Sequence, residues 1–296
     1  MLDRFAQLPA SLRERSRTVR LRGGPLGEIP ALLCHPDWVS SAPTMIWMHG
    51  RTANKELDSG RYIRWLKHGI AAVAIDLPGH GERVGSWVPP RSAWRSEDTT
   101  RSAVVPNTDA TPETLAVLAQ MIGEIDHVVE AIADPVWQGV FDLDRLGIGG
   151  MSLGGMAALR RLCAPPPHEF KCAAVECTTG DLWSLYRPEG PRPWGQTFGE
   201  EEVGPLDALR HLAGFTPLPV LALHGEQDRI VPWEIQRGFL ERLRGRYVEV
   251  GADPAMVQWK TWANTGAPEE HSGFGRFGNE AKNAQVEFLM ETLVGT

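Results

Sequence analysis

A serine flanked by glycines is the first group in this chain whose setting could support chemistry. The segment Gly150-Met151-Ser152-Leu153-Gly154 fits the pattern G-x-S-x-G, and it lies between an apolar run and a helical pattern. In that context the serine is expected on a sharp strand-to-helix turn, which needs small neighbours and exposes the hydroxyl. A serine hydroxyl is a weak nucleophile without a base, so the motif predicts nucleophilic catalysis by Ser152 if partners follow.

A carboxylate and a histidine follow Ser152 in the chain order that such a turn requires. Asp228 comes directly after an apolar run, in the segment HGEQDRIVP, and His271 is the one histidine beyond it. His271 stands in the loop NTGAPEEHSGFG, which leaves it free to reach the end of the sheet. We therefore predict His271 as the base and Asp228 as the acid that orients it. Glu176 and Asp181, near the end of the preceding apolar run, are alternative positions for the acid.

Two backbone N–H groups are predicted to stabilise the oxyanion that forms during acyl transfer. The N–H of Leu153 comes directly after the nucleophile, at the start of its helix. A second donor should come from the loop after the apolar run TMIWMHG, and we assign it to the N–H of Arg51. His49, two residues earlier, is expected to brace this loop rather than to transfer a proton.

Apolar and helical patterns alternate along the chain and would position these groups. Short apolar runs are typical of strands buried on both faces of a parallel sheet, and they cover 44–50, 70–79, 145–152, 172–180 and 218–225. A late alternating run covers 256–262, and RTVRLR with EIPALLCH indicates an opening hairpin. Helical periodicity covers 54–69, 111–134, 152–163, 231–245 and 279–293. This alternation predicts an α/β fold with helices on both faces of a mostly parallel sheet, in one domain over 1–296.

Two long segments, at about 83–110 and 178–206, interrupt the alternation. Long loops inside a compact domain are usually functional or disordered, and disordered segments are poor in aromatic residues. Both segments contain tryptophan, so we predict lid-like insertions that fold over one end of the sheet. The side chains expected to contact substrate are Trp87, Trp94, Trp183 and Trp194. The alternative is a surface elaboration without a role in binding.

The composition limits the classes of partner and compartment. Apolar residues make up 42% of 296 residues, enough for a core, and the net charge of −7 disfavours nucleic acid or an anionic membrane as partner. No segment resembles a signal peptide or reaches membrane-spanning length, so we expect a cytoplasmic protein. The four cysteines lack C-x-x-C spacing and indicate buried reduced thiols. We expect no metal and no cofactor, because HExxH, a cysteine cluster and a dinucleotide fingerprint are all missing from the sequence.

With these motifs in place, the chain resembles the α/β-hydrolases, and most closely their dienelactone-hydrolase-like and small bacterial serine esterase branch. The resemblance rests on HGRTANKE (49–56), AIDLPGHGER (74–83), GGMSLGG (149–155), HGEQDRIVP (224–232) and the loop around His271. It implies an eight-stranded, mostly parallel sheet, a Ser152–His271–Asp228 triad and an oxyanion hole from Arg51 and Leu153. Dienelactone hydrolases use a cysteine nucleophile, so the serine here points to ester hydrolysis.

We therefore predict a serine esterase that forms an acyl-enzyme on Ser152 from a small-molecule ester with a short-to-medium acyl or an aromatic group. A serine peptidase or a thioesterase of the same fold is the alternative among enzymes. Peptidases of this relation usually carry an additional N-terminal domain, for which the roughly forty residues before the first core strand leave no room. A non-catalytic binding protein that keeps the hydrolase fold is the alternative from another class.

Arg51 is the position where the sequence departs most from that branch, because related esterases often carry an aromatic residue there. A guanidinium beside the nucleophile could favour a polar or anionic group of the substrate. It could equally form an ion pair within the protein, and the carboxylates considered are Glu82, Glu269 and Glu270.

Overall fold

An eight-stranded sheet forms the centre of the protein. The computed structural model describes residues 3–23, 27–84, 114–165 and 167–295. The strands are β1 (Ser16–Arg22), β2 (Glu28–Cys34), β3 (Ala42–Met48), β4 (Ala71–Ile75), β5 (Phe141–Met151), β6 (Cys172–Glu176), β7 (Val220–Gly225) and β8 (Val257–Trp262). They lie side by side in the order β1-β2-β4-β3-β5-β6-β7-β8.

The sheet is parallel from β4 to β8 and antiparallel at one edge. The pairs β3–β4, β3–β5, β5–β6, β6–β7 and β7–β8 are parallel, whereas β1–β2 and β2–β4 are antiparallel. All residues of β3, β4, β6 and β7 are buried, as expected for strands covered on both faces. The predicted mostly parallel sheet with its opening hairpin is therefore confirmed.

Helices cover both faces of the sheet, and alternate strand residues point to each. The helices are α1 (Ala10–Arg13), α2 (Ser59–Lys67), α3 (Thr114–Ile132), α4 (Leu153–Leu162), α5 (Leu182–Tyr186), α6 (Glu200–Val203), α7 (Trp233–Glu249) and α8 (Gly278–Leu289). On one face of the sheet, a hydrophobic cluster joins Met48 and Ile148 to α3, α4 and α7. On the other face, a second cluster joins Trp47 and Ala174 to α2 and α8. Within the described residues, none of these helices has both the length and the apolar character that crossing a bilayer requires.

The second predicted insertion is folded onto the core. Between 178 and 206 it forms α5 and α6, and its buried side chains belong to the same hydrophobic cluster as α3 and α4: Leu182, Leu185, Tyr186, Val203 and Leu206. Most of the first predicted insertion lies outside the described residues, and so does the predicted start of the third helix at 111. Residues 54–58 form turns rather than the predicted first turn of α2, because the Asn54 side chain accepts the N–H of Glu56.

Gly149 has no side chain, which allows β5 to pack closely against β6, and it provides a test of this packing. A Cβ at this position would lie 2.0 Å from the carbonyl oxygen of Ala174, which is backbone and cannot rotate away. We expect Gly149→Ala to lower the free energy of unfolding by about 3 kcal/mol, at the upper end of overpacking costs.

Gly238 is the matched control, because a Cβ there would meet nothing within 4 Å and the residue lies inside α7. Gly238→Ala should leave stability unchanged or raise it by up to about 1 kcal/mol through helix propensity. Urea unfolding of both variants gives the comparison. Equal stabilities of the two variants would contradict the packing described for β5 and β6.

Candidate active site

The three side chains predicted to do chemistry meet at the carboxyl edge of the parallel strands. Ser152 follows β5 directly, Asp228 lies three residues after β7, and His271 lies in the loop beyond β8. Loops that follow parallel strands converge at this edge, which is where open α/β sheets bind ligands. The alternation of strands and helices thus places residues 119 positions apart in the chain within hydrogen-bond distance.

A continuous chain of hydrogen bonds connects these side chains. Ser152 Oγ is 3.0 Å from His271 Nε2, and His271 Nδ1 is 2.7 Å from Asp228 Oδ2. Asp228 Oδ1 accepts the N–H groups of Ile230 and Val231, each at 2.8 Å, so its carboxylate is held by its own loop. A carboxylate can only accept, so Nδ1 of His271 carries the proton and Nε2 of the neutral ring accepts from the serine hydroxyl.

The serine has a strained backbone that neighbouring groups hold in place. Its φ of 51° and ψ of −117° are rare for a residue with a side chain. Thr178 Oγ1 donates a 2.6 Å hydrogen bond to the Ser152 carbonyl oxygen, and the Ser152 N–H donates to the carbonyl oxygen of Glu176 at 2.8 Å. A Cβ on Gly154 would lie 2.2 Å from the carbonyl oxygen of Met48, so only glycine lets α4 begin this close to β3.

The structure places the two alternative acids against other partners. Both carboxylate oxygens of Glu176 lie 2.7 Å from the guanidinium of Arg61, in a buried bidentate ion pair. Asp181 accepts the N–H of Ser184 and caps the N-terminus of α5. Of the three carboxylates considered from the sequence, Asp228 is therefore the one that contacts the histidine.

The two backbone segments that carry the predicted oxyanion donors run close to the nucleophile, and the role of their N–H groups stays a prediction. Leu153 is the first residue of α4, where backbone N–H groups have no acceptor within the helix. A Cβ on Gly50, the residue before Arg51, would lie 3.4 Å from Cβ of Ser152, so the loop after β3 touches the serine. His49 braces this loop as expected, because its ring bonds the Gly50 carbonyl oxygen at 2.7 Å and accepts a backbone N–H from the β4 loop at 3.2 Å.

A buried lysine that the sequence reasoning did not single out joins the β3 and β4 loops. Lys55 Nζ lies 2.9 Å from Asp76, 2.8 Å from Glu56 and 2.6 Å from Glu82, and its side chain is fully buried. Asp76 also accepts the backbone N–H of Lys55 and of Glu82. The signal in the sequence is the pair of segments that carry the family resemblance, HGRTANKE and AIDLPGHGER, which this ion cluster links.

The carboxylates considered as partners of Arg51 contact other groups. Glu82 pairs with Lys55, Glu269 lies 3.8 Å from Arg229, and Glu270 accepts hydrogen bonds from Thr265. The charge of the Arg51 guanidinium instead acts on Tyr186 of α5, where it opposes the rise in the phenol pKa that burial causes. Arg51 follows β3 and Tyr186 follows β6, and β5 lies between these two strands in the sheet. The interaction between the two side chains therefore spans the end of β5, where Ser152 lies.

The structure describes the positions of two of the four tryptophans predicted to contact substrate. Trp183 is half-buried on α5 and packs against the main hydrophobic cluster, with the Arg210 guanidinium 5.9 Å from its ring centre. Trp194 lies on the short turn Pro193–Gly195. Trp87 and Trp94 lie outside the described residues. Contact of these four side chains with substrate stays a prediction.

Two further side chains, missed in the sequence, surround the acid. His224 is the second-to-last residue of β7. Its Nε2 is 2.8 Å from the carbonyl oxygen of Val231 and 3.5 Å from Asp228 Oδ2. Cys177, the residue after β6, brings its sulfur within 4.8 Å of ligand atoms of both Asp228 and His271. These three groups, a thiol, a carboxylate and an imidazole, are all of types that can bind a metal ion.

Comparisons with known proteins agree with this geometry. A model of the prolyl oligopeptidase family matches residues 122–293, a range that includes Ser152, Asp228 and His271. Esterase YjfP of Escherichia coli (strain K12) is 27% identical over 249 residues, which cover 81% of this chain and 89% of the esterase.

Two solved structures share the fold at low sequence identity. The acylaminoacyl peptidase of Pyrococcus horikoshii aligns with a TM-score of 0.65 and 16% identity, over 94% of this chain and 41% of the peptidase. The Pyrococcus furiosus esterase Pf2001 aligns with a TM-score of 0.60 and 20% identity, over 94% of this chain and 91% of the esterase. The α/β-hydrolase fold predicted from the sequence is therefore confirmed.

The buried histidine of the β3 loop makes stability depend on pH. Burial lowers the pKa of His49 to about 4, so the folded protein keeps the ring neutral while the unfolded chain binds a proton below about 6.5. The unfolded state then gains protons between these values, and the free energy of unfolding should fall by about 3 kcal/mol from pH 6.5 to pH 4 through this residue alone.

His49→Asn removes this titration and keeps an amide that can donate to the Gly50 carbonyl oxygen. Chemical unfolding at several pH values between 4 and 7 should show a shallower slope for the variant than for the wild type. Identical slopes would show that His49 is protonated in the folded protein. Burial also lowers the pKa of His35, His80 and His224, so a reduced slope, not a flat one, is expected.

Proposed function

The chain belongs to the prolyl oligopeptidase family of α/β-hydrolases, and from that premise we propose that it hydrolyses carboxylic esters through an acyl-enzyme on Ser152. The observation that carries the proposal is the hydrogen-bonded chain from Ser152 Oγ through His271 to Asp228, at 3.0 and 2.7 Å. These three groups are 2%, 6% and 5% exposed, so the charges that develop during catalysis would form in a site of low polarity.

Acylation begins when Ser152 Oγ attacks the ester carbonyl carbon. The hydroxyl proton passes to His271 Nε2, which then gives it to the departing alkoxide, so the alcohol leaves neutral. Asp228 keeps Nδ1 protonated and stabilises the imidazolium that exists between these two transfers. The Asp228 carboxylate does not need to move, because its other oxygen is fixed by two backbone N–H groups.

The negative charge on the carbonyl oxygen develops next to α4 and the β3 loop. The N–H of Leu153 at the helix start and the N–H of Arg51 are the donors we assign to it. Deacylation repeats the sequence with water in place of the serine hydroxyl: His271 Nε2 takes a proton from water, and the acid product and free Ser152 are formed.

The match to esterase YjfP favours ester substrates over amides, because it covers nearly the whole relative. Esterase YjfP aligns over 89% of its own length, whereas the acylaminoacyl peptidase aligns over 41%. The acyl group we propose is short-to-medium or aromatic, because α5, which carries the half-buried Trp183, follows β6 at the edge of the sheet where the catalytic residues lie. Peptide hydrolysis is the second candidate, and the family match favours it.

Hydrolysis of p-nitrophenyl esters from acetate to dodecanoate tests the proposed activity. The wild type should turn over the shorter esters fastest, and Ser152→Ala should lose roughly 10⁶-fold in kcat, because serine and histidine act as a unit. A blocked-peptide p-nitroanilide series, measured in parallel, separates the two candidates. Faster turnover of the anilides than of every ester would favour the peptidase, and a rate equal to that of Ser152→Ala on both series would exclude both activities.

The acid is tested by a matched pair of amide substitutions. Asp228→Asn should lower kcat by about 10⁴-fold with little change in KM, because an amide cannot hold the Nδ1–H tautomer of His271. Asp181→Asn is the control, since an amide oxygen still accepts the N–H of Ser184 and this side chain does not contact the histidine. Equal activities of the two variants would show that another group orients the imidazole.

A further inference from the structure

Cys177 lies beside the Asp228–His271 pair. It is 1% exposed, and its φ of 45° is unusual for a residue with a side chain. Its sulfur, an oxygen of Asp228 and a ring nitrogen of His271 all lie within 4.8 Å of one another. Nδ1 of His271 is the nitrogen bonded to Asp228 at 2.7 Å, so it is the nitrogen that a metal ion shared with Asp228 would take.

The chemistry of the three atoms selects a borderline metal ion. A thiolate sulfur, an imidazole nitrogen and a carboxylate oxygen are the ligands of Zn²⁺, at about 2.0–2.3 Å, with a fourth tetrahedral position left for water. Ligands around such an ion lie roughly 3.3–3.8 Å apart. The sulfur therefore has to approach the other two atoms by about 1 Å at most, and Asp228 Oδ2 and His271 Nδ1, which lie 2.7 Å apart, have to separate by about 0.6 Å. Mg²⁺ takes oxygen ligands in near-octahedral geometry and does not suit this set.

We propose that Cys177, Asp228 and His271 form an inhibitory Zn²⁺ site that switches the hydrolase off at its base. The inhibition of hydrolysis rests on the proposed function, whereas the binding of Zn²⁺ does not.

Zinc on Nδ1 forces the imidazole into the unproductive tautomer. Binding replaces the thiol proton of Cys177, which leaves to solvent, and the single ring proton of His271 moves from Nδ1 to Nε2. The net change is one Zn²⁺ bound and one proton released. Nε2 then carries a proton and cannot accept one from Ser152, so attack on a substrate stops even though the serine itself is untouched.

The groups around the cluster leave Cys177 available for this role. The side chain of Glu176, its neighbour, is held by Arg61, and His224 is bonded to the Val231 carbonyl oxygen. Burial and then the Asp228 carboxylate raise the pKa of the Cys177 thiol, so the thiolate needs a metal ion to form. The hydrogen bond from the Gly225 N–H opposes this rise and would also stabilise a metal-bound thiolate. Hydrolysis itself assigns no step to the thiol.

Equilibrium dialysis against Zn²⁺ tests the binding without requiring turnover. The wild type should bind one Zn²⁺ at this site, and Cys177→Ser should lower the affinity for Zn²⁺ by more than about 100-fold. Loss of a hydrogen bond to a metal ligand lowers affinity by about 10- to 100-fold, so loss of the ligand itself should exceed that range. Cys172→Ser is the matched control, because Cys172 is also a buried free cysteine but begins β6, whereas Cys177 follows the end of that strand. Thermal unfolding of both variants without metal checks that they fold, and Cys177→Ala provides a second variant.

Fluorophosphonate labelling of Ser152 and ester hydrolysis then test the inhibition. Zn²⁺ should slow labelling of the wild type and of Cys172→Ser but not of Cys177→Ser, each compared with its own rate in chelator. Equal Zn²⁺ affinity of the wild type and Cys177→Ser overturns the site. Cys177-dependent binding without slower labelling overturns the inhibition. A chain that binds Zn²⁺ as expected but cleaves no ester refutes the proposed substrate class and leaves the metal site standing.

Discussion

The close approach of three backbones at the end of β5 is the constraint on which the rest of the site depends. Carbonyl oxygens of the β3 end lie so near α4 that a Cβ on Gly154 would be 2.2 Å from one of them, and on the other side Thr178 bonds the Ser152 carbonyl oxygen. The nucleophile turn is therefore held between the β3 and β6 loops. Holding a strained serine costs free energy, and dense packing on both sides keeps that strain from relaxing.

Buried ion pairs connect the loops around this turn. Arg61 of α2 reaches Glu176 at the end of β6, and Lys55 joins the β3 and β4 loops through Asp76. Buried pairs contribute little net stability because both charges lose their hydration, but losing one partner leaves the other charge unpaired at high cost. Their effect here is to tie each loop to one position, so that a hydrogen-bonded chain of three side chains can form across strands far apart in sequence.

The same arrangement accommodates both catalysis and its proposed inhibition. Asp228 fixes the proton of His271 on Nδ1, and the whole reaction depends on which ring nitrogen carries it. In the proposed inhibition, a metal ion bound by Cys177 beside that hydrogen bond would take the place of the proton on Nδ1. On the other side of the serine, the charge of Arg51 in the β3 loop acts on Tyr186 of α5.

The amino-acid sequence alone was enough to predict the sheet, the nucleophile and the base, because each leaves a local pattern: apolar runs, G-x-S-x-G, and a single histidine after the last candidate acid. It left three carboxylates open, and only the tertiary structure paired Glu176 with Arg61 and Asp228 with His271. Thr178, Lys55 and Cys177 escaped the sequence reasoning because their roles depend on contacts between loops of different strands. Such contacts have no periodicity or spacing along the chain, so they exist only once the strands lie side by side.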